Sequence, residues 1–197
     1  MQLSFELENK ELNEALRRLD KQRARRVIVR ALNDTENKAR TMLAEKARDT
    51  YAIKRSGFKH NVRLKRASSS NLAAYILVSG HANELKDFRV SPATYANGAA
   101  RPAVYRAKVL QASGMKALTG DATHSKAFLV RFKSGHVTLV ERTSKSRLPV
   151  KTLYSLSVQA MMGAKRVYGI FRPEIGAVLE KQVERSLNFE LSRGGGA

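Results

Sequence analysis

The basic residues between positions 17 and 66 are the side chains whose type and spacing could bind a ligand. This stretch contains 17 Lys or Arg against 5 Asp or Glu. Arg23, Arg26 and Arg30 are three and four residues apart, which places them on one side of a helix, whereas Arg25 points elsewhere. Phosphates repeat regularly along nucleic acid, so guanidinium groups on successive helical turns could contact them without reading bases. A solvated helix face would show the same pattern, and the sequence leaves this alternative open.

Further basic residues extend the candidate contact surface beyond this helix. We interpret them as contacts with DNA or with an acidic protein surface: Arg55, Lys59, Arg63, Lys65, Arg66, Arg142, Lys145 and Arg147. The last three lie on the N-terminal side of Pro149, where an ordinary exposed loop is an equally good interpretation. The pattern does not decide between DNA and an acidic subunit as the partner.

The remaining polar residues lack the spacing that catalysis requires. Asp121, His124 and Ser125 are the residue types of a catalytic triad, but triad members normally come from separate elements. No glycine-rich turn is followed by Lys-Ser or Lys-Thr, and the chain has no cysteine. The four histidines are scattered, without metal-ligand spacing: His60, His81, His124 and His136. We therefore expect no enzymatic activity, no cofactor and no bound metal.

Composition limits the class of protein to which the chain can belong. Hydrophobic residues make up 43% of its 197 residues, which is typical of a globular protein and excludes a disordered basic tail. The formal net charge of +20 favours contact with a polyanion or an acidic partner. No apolar run approaches the roughly 20 residues of a membrane helix. The N-terminal sequence does not resemble a signal peptide, so we expect synthesis and residence in a cytoplasm.

The order of periodic segments predicts an α+β fold with an antiparallel sheet in a single domain spanning residues 1–197. A short strand over residues 3–7 should be followed by helices over about 10–51, with a bend near Asp20. Gly57 should end this helical region, and four to six short strands should occupy about residues 60–142. Helices should then cover about residues 157–192, with Pro173 in the first turn of the last one.

The apolar periodicity also predicts which side chains form the core. The candidates lie on the long helix, two strand regions and the last helix: Leu32, Ala39, Leu43, Ile76, Val78, Phe128, Val130, Leu139 and Leu179. Of these, Phe128 tests which face of its strand is buried, because the segment 127–132 carries apolar residues on both faces.

Four stretches occur in an order that resembles a known family. The first is the helix that starts at Val27-Ile28-Val29-Arg30 and ends at Asp49-Thr50-Tyr51, and the second is the segment from Ile53 to Ala67 with a strand ending at Val78. The third is the hairpin from Ala127-Phe128-Leu129 to Arg142. The fourth is Leu148-Pro149-Val150-Lys151 with the helix Ile175 to Leu191 behind it. Together they resemble the minor tail protein Z family of lambda-like tailed phages over about residues 20–190, apart from the 91–125 stretch.

This resemblance implies a structural role in the virion rather than catalysis. It implies a tail completion component near the head-proximal end of the tail, made in the host cytoplasm, that joins head and tail and places the DNA end. Its partners would be other tail and connector proteins, phage DNA and further copies of itself in a ring, with no membrane. The alternative is a sequence-independent nucleic-acid-binding protein that belongs to no virion.

Overall fold

A computed structural model describes residues 10–59, 61–78, 80–96, 98–121 and 125–194 of the chain. The strand expected over residues 3–7 lies outside the described residues, as do His60 and His124. Among the described helices, none is both long and apolar enough to cross a membrane. The fold combines long helices with short antiparallel strands, so the predicted α+β class is confirmed.

The N-terminal helices divide at Asp20, as the sequence predicts. Helix α1 covers Lys10–Arg17 and helix α2 covers Lys21–Thr50. One carboxylate oxygen of Asp20 accepts hydrogen bonds from the backbone N–H groups of Gln22 and Arg23, each 2.9 Å long. These are first-turn donors with no partner inside the helix, so Asp20 caps the start of α2.

The chain forms two compact units from interleaved segments. The first unit comprises residues 1–46, 62–78 and 162–197, and the second comprises residues 47–61 and 79–161. Whether the two units constitute one domain stays a prediction, and each is described by itself below.

The first unit contains α1, most of α2, a hairpin and the last helix. Strands β1 (Val62–Lys65) and β2 (Tyr75–Val78) pair antiparallel, with Val62 opposite Val78. The turn between them is closed by hydrogen bonds between the backbones of Ser68 and Asn71. Ala31, Leu179 and Val183 form a buried cluster against which Leu12, Leu16 and Leu32 pack.

The last helix, α5 (Lys165–Gly194), begins earlier than predicted and contains Pro173 in its interior. An interior proline loses one helical hydrogen bond and costs about 3 kcal/mol. The apolar stripe, however, continues upstream of the proline through fully buried Val167 and Phe171. Burying each of these side chains contributes about 1.5–3 kcal/mol, which is enough to offset the proline. The preceding helix α4 covers Val158–Gly163.

The second unit contains three small sheets and the short helix α3 (Arg55–Lys59). Gly57 lies inside α3 rather than ending the helical region, and a Cβ there would be 2.7 Å from Cβ of Asp87. All strand pairs are antiparallel. The first sheet pairs β3 (Ala82–Glu84) with β10 (Tyr154–Ser157). The second contains β4 (Arg89–Ser91), β5 (Arg106–Lys108) and β6 (Lys116–Ala117). The third contains β7 (Phe128–Arg131), β8 (Val137–Arg142) and β9 (Val150–Thr152).

The core of the second unit uses the opposite face of β7 from the one predicted. Leu129 pairs with Leu139, and both are buried in a cluster with Tyr105. Phe128 and Val130 are only half-buried. Strand β7 is an edge strand beside the central β8, so one of its faces is less covered. Among the other predicted core residues, Leu32 and Val78 are half-buried. The rest are buried: Ala39, Leu43, Ile76, Leu139 and Leu179.

Candidate nucleic-acid or partner interface

The predicted basic residues divide between the two units. Six belong to the first unit: Arg23, Arg26, Arg30, Arg63, Lys65 and Arg66. Five belong to the second: Arg55, Lys59, Arg142, Lys145 and Arg147. The contacts within each unit therefore decide what each group can bind.

Arg23 and Arg26 bind Glu190 of helix α5. Arg26 donates from Nε and Nη2 to one carboxylate oxygen of Glu190, at 3.0 and 2.7 Å. Arg23 donates from Nη2 to the backbone oxygen of Glu190 at 3.0 Å. Only 7% of the Glu190 side chain is exposed, against 52% of the Arg26 side chain. The hydrogen bonds from Arg26 hold the pKa of Glu190 below its ordinary value. These arginines thus bind the end of α5 while Arg26 keeps an exposed side.

Arg30 stacks on an aromatic ring of the same helix α5. Its guanidinium carbon lies 4.1 Å from the centroid of Phe189, and that of Arg193 lies 5.5 Å from the same centroid. A guanidinium over a ring is held in a fixed plane while its N–H groups stay available at the edge. The Phe189 ring is 46% exposed, so this pair lies at the surface.

A groove runs along the exposed side of α2 toward the β1–β2 turn. Arg25, Arg26 and Arg30 line it, with Gln22, Val29, Ser69 and Ser70. Arg25 thus lines the groove together with Arg26 and Arg30, although helical spacing sets it off the row that Arg26 and Arg30 share with Arg23. In the part of the chain that the structure describes, the side chain of Arg25 has no hydrogen bond, ion pair or ring contact. We call these seven residues the α2 groove.

The chemistry of the α2 groove suits an anion with several oxygens. Three guanidinium groups supply forked N–H donors, and Ser69 and Ser70 of the β1–β2 turn complete the lining, where the Ser70 hydroxyl lies 3.0 Å from that of Ser68. Among the residues that the structure describes, no carboxylate lines the groove. No pattern in the sequence pointed to the two serines or to Glu190, which lies 164 positions from Arg26.

The basic residues of β1 lie on its exposed face. Arg63 and Lys65 alternate with half-buried Val62 and Leu64, and Arg66 follows the strand. Lys65 lies 5.7 Å from the centroid of the Tyr75 ring.

Glu36 of α2 is a buried carboxyl near the end of β1. Burial raises the pKa of Glu36, and the charges of Arg66 and Arg40 and the backbone of Lys65 oppose this effect only in part. An ionised buried carboxylate costs free energy unless its oxygens are well bonded. Arg66 therefore has an acidic neighbour within the first unit.

In the second unit the predicted residues lie at two places. Arg55 is exposed in α3, and the side chain of Lys59 lies outside the described residues. Arg142 ends β8 and is half-buried, whereas Lys145 and Arg147 are exposed in the loop that follows. The hydroxyl of Thr143 donates to the backbone oxygen of Pro149 at 3.1 Å and closes this loop.

One polar cluster in the second unit was not anticipated. Nε2 of His136 lies 3.0 Å from a carboxylate oxygen of Glu84, and Nζ of Lys86 lies 3.3 Å from the other oxygen. Within the described ranges, no group of three or more His, Cys, Asp or Glu could hold a metal ion. The absence of an enzymatic activity stays a prediction.

Comparison with known proteins gave one match. The family described as prophage minor tail protein Z matches residues 10–193 of the chain. Curated proteins and solved structures gave no match.

Proposed function

The chain belongs to the prophage minor tail protein Z family, and from this we propose that it completes the head-proximal end of a phage tail. As a phage minor tail protein it works in the assembled virion. The proposed finer role is to join tail to head and to place the DNA end, with tail and connector proteins as partners. The match over residues 10–193 carries this proposal.

The distribution of charge supports contact with a polyanion at that position. The net charge of +20 would repel copies of the chain from one another unless anions lie between them. Packaged DNA and acidic subunits both supply such anions. In the α2 groove, the side chain of Arg25 has no partner among the described residues and Arg26 keeps an exposed side, so both can bind an external group. A ring of copies around the tail axis would repeat this groove at regular intervals.

A prophage from which this gene is deleted tests the role directly. We expect tails that do not join heads, or joined particles that do not deliver DNA, and restoration of infectivity by the chain supplied from a plasmid. Immunogold labelling of a tagged chain should lie at the head-proximal end of the tail. Label at the distal end would refute the proposed position.

The composition of purified particles, together with the infectivity of the deletion strain, separates this role from nucleic-acid binding outside a virion. Mass spectrometry of purified particles should detect the chain in a fixed ratio to the tail tube protein. Full infectivity of the deletion strain, with no chain in wild-type particles, would refute a virion role and favour the alternative.

A further inference from the structure

Phe128 of the second unit carries two arginines on its ring. The guanidinium carbon of Arg101 lies 5.2 Å from the ring centroid, and that of Arg142 lies 5.7 Å from it. Both distances are within the range of favourable cation–π contacts. Arg142 comes from the end of β8, and Arg101 comes from the long loop between β4 and β5. The ring thus contacts two cations that are 41 positions apart in sequence.

These arginines line a small cavity of about 290 Å³ together with Ser125, Lys126 and Phe128. No carboxylate of the described ranges lines the cavity. Among the residues that the structure describes, Arg101, Lys126 and Arg142 make no ion pair. Pockets for drug-sized ligands measure roughly 300–1,000 Å³, so this one suits a single charged group better than a whole nucleotide.

We infer that the cavity formed by Arg101, Lys126 and Arg142 against Phe128 binds one backbone phosphate of a nucleic acid. Stacking fixes the planes of the two guanidinium groups, and their edges supply the paired N–H donors that match phosphate oxygens. The Lys126 ammonium adds a third positive charge, and the Ser125 hydroxyl adds a further donor.

A phosphate in a polymer fits better than a lone carboxylate of a partner protein because positive charge continues beyond the cavity. The loop that leaves Arg142 carries Lys145 and Arg147, both exposed and without ion pairs in the described part of the chain. A phosphodiester backbone presents its next charge within a few ångströms, where such side chains reach it. This inference is drawn from the second unit alone and does not depend on the role in the tail.

Binding of the full-length chain to a labelled 20-base-pair DNA duplex, followed by fluorescence anisotropy across a salt series, tests the site. The pair Arg101→Gln and Arg142→Gln should weaken binding about fivefold at 0.15 M salt and make the salt dependence shallower by about one unit, the contribution of one phosphate contact. The pair Arg101→Lys and Arg142→Lys keeps the charge but loses the planar fork, and should recover only part of the affinity.

The matched control is the pair Lys116→Gln and Lys133→Gln, which removes two exposed positive charges of the same unit outside the cavity. Because neither lysine lines the cavity, the control should leave the phosphate contact made there, and with it the slope, unchanged. An equal loss of DNA affinity in the Arg101/Arg142 glutamine pair and in the control pair would overturn the site, as would the absence of DNA binding by the unsubstituted chain. If the pair Arg101→Gln and Arg142→Gln binds DNA as well as the unsubstituted chain does but no longer binds poly-glutamate, the phosphate site is also overturned. The cavity would then be assigned to an acidic protein.

Misfolding of the glutamine pair is detected by thermal unfolding of each variant. If that pair unfolds early, the lysine pair decides, since it preserves charge and most of the packing. Full affinity in a folded lysine pair would show that only charge is needed there, and the proposal of a shaped phosphate site would fail.

Discussion

Arg26 directs two hydrogen bonds to a single carboxylate oxygen of Glu190, so the basic start of helix α2 is bonded to the C-terminal part of helix α5. The hydrogen bonds and charge of Arg26 lower the pKa of Glu190 from its ordinary value of 4.5. The two residues therefore link the folding of the first unit to pH, and Glu190 is the residue through which that link can be measured.

Replacing Glu190 with Gln should lower the free energy of unfolding at pH 7 by about 1–3 kcal/mol, the range for hydrogen bonds to charged groups. A carboxyl with a depressed folded pKa contributes stability above its unfolded pKa, near 4.5, and loses it as pH falls through the folded value. Urea titrations at pH 7 and at low pH should therefore show a difference in the free energy of unfolding between wild type and Glu190→Gln. This difference should shrink below pH 4.5.

The control for this substitution is Glu184→Gln, which removes the same charge from an exposed position of α5. It should change the stability by no more than about 0.5 kcal/mol at either pH. Equal losses for both variants would mean that the overall charge of the chain is the cause, and the pairing with Arg26 would contribute nothing measurable.

Glu36 should behave in the opposite way. Burial raises its folded pKa above 4.5, so the folded chain binds this proton at a higher pH than the unfolded chain does. Its contribution to stability is unfavourable at pH 7 and improves as pH falls through the raised value. Glu36→Gln should thus leave stability at pH 7 unchanged or raise it, by up to about 1 kcal/mol. Exposed Glu45 of the same helix supplies the control, and a clear loss of stability in Glu36→Gln alone would show that the carboxylate is well bonded.

Leu129→Ala should be among the most destabilising single changes in the second unit. The side chain is 2% exposed and faces fully buried Leu139 across the hairpin, so truncation should cost about 2–5 kcal/mol. Leu77→Ala, at a strand position that is 48% exposed, is the matched control and should cost about 0.5 kcal/mol. Denaturant titration of both variants makes the comparison, and similar losses would contradict the assignment of the buried face.

The N-terminal helices could be read from the sequence because their signals are local, whereas the start of α5 upstream of Pro173 could not. Asp20 interrupts the helical period and caps the next helix, and the structure contains that break. The face of β7 could not be read, because Phe128 and Leu129 are both apolar and alternate on opposite faces. Their burial is set by the neighbours that the strand acquires in the sheet, which are distant in sequence.

The candidate contact residues were predictable as a class but not as sites. Charge density identified the start of α2, yet which arginines remain available depends on Glu190, and no periodicity connects Glu190 to Arg26. Arg101 lay in a loop with no recognisable pattern. Its contact with Phe128 depends on the course of the backbone, which composition does not encode.

Arg25 is the residue that tests the α2 groove most cleanly. Helical spacing suggests neutralising Arg23, Arg26 and Arg30 together. That change would also remove the partners of Glu190, so an effect on assembly could not be separated from a loss of stability. Arg25 lines the groove and makes no hydrogen bond or ion pair within the described ranges, so Arg25→Gln should alter the free energy of unfolding by no more than about 0.5 kcal/mol.

The same Arg25→Gln variant should reduce the yield of infectious particles when it replaces the wild-type chain in the deletion strain. Arg18→Gln removes an equal charge from the exposed turn between α1 and α2, outside the groove, and should complement normally. Thermal unfolding and particle titre are measured on both variants. Normal titre with Arg25→Gln would identify the groove as a solvated face that assembly does not use. A low titre accompanied by a lowered melting temperature would make Arg25 structural, because a contact made only in the assembled particle cannot stabilise the isolated chain.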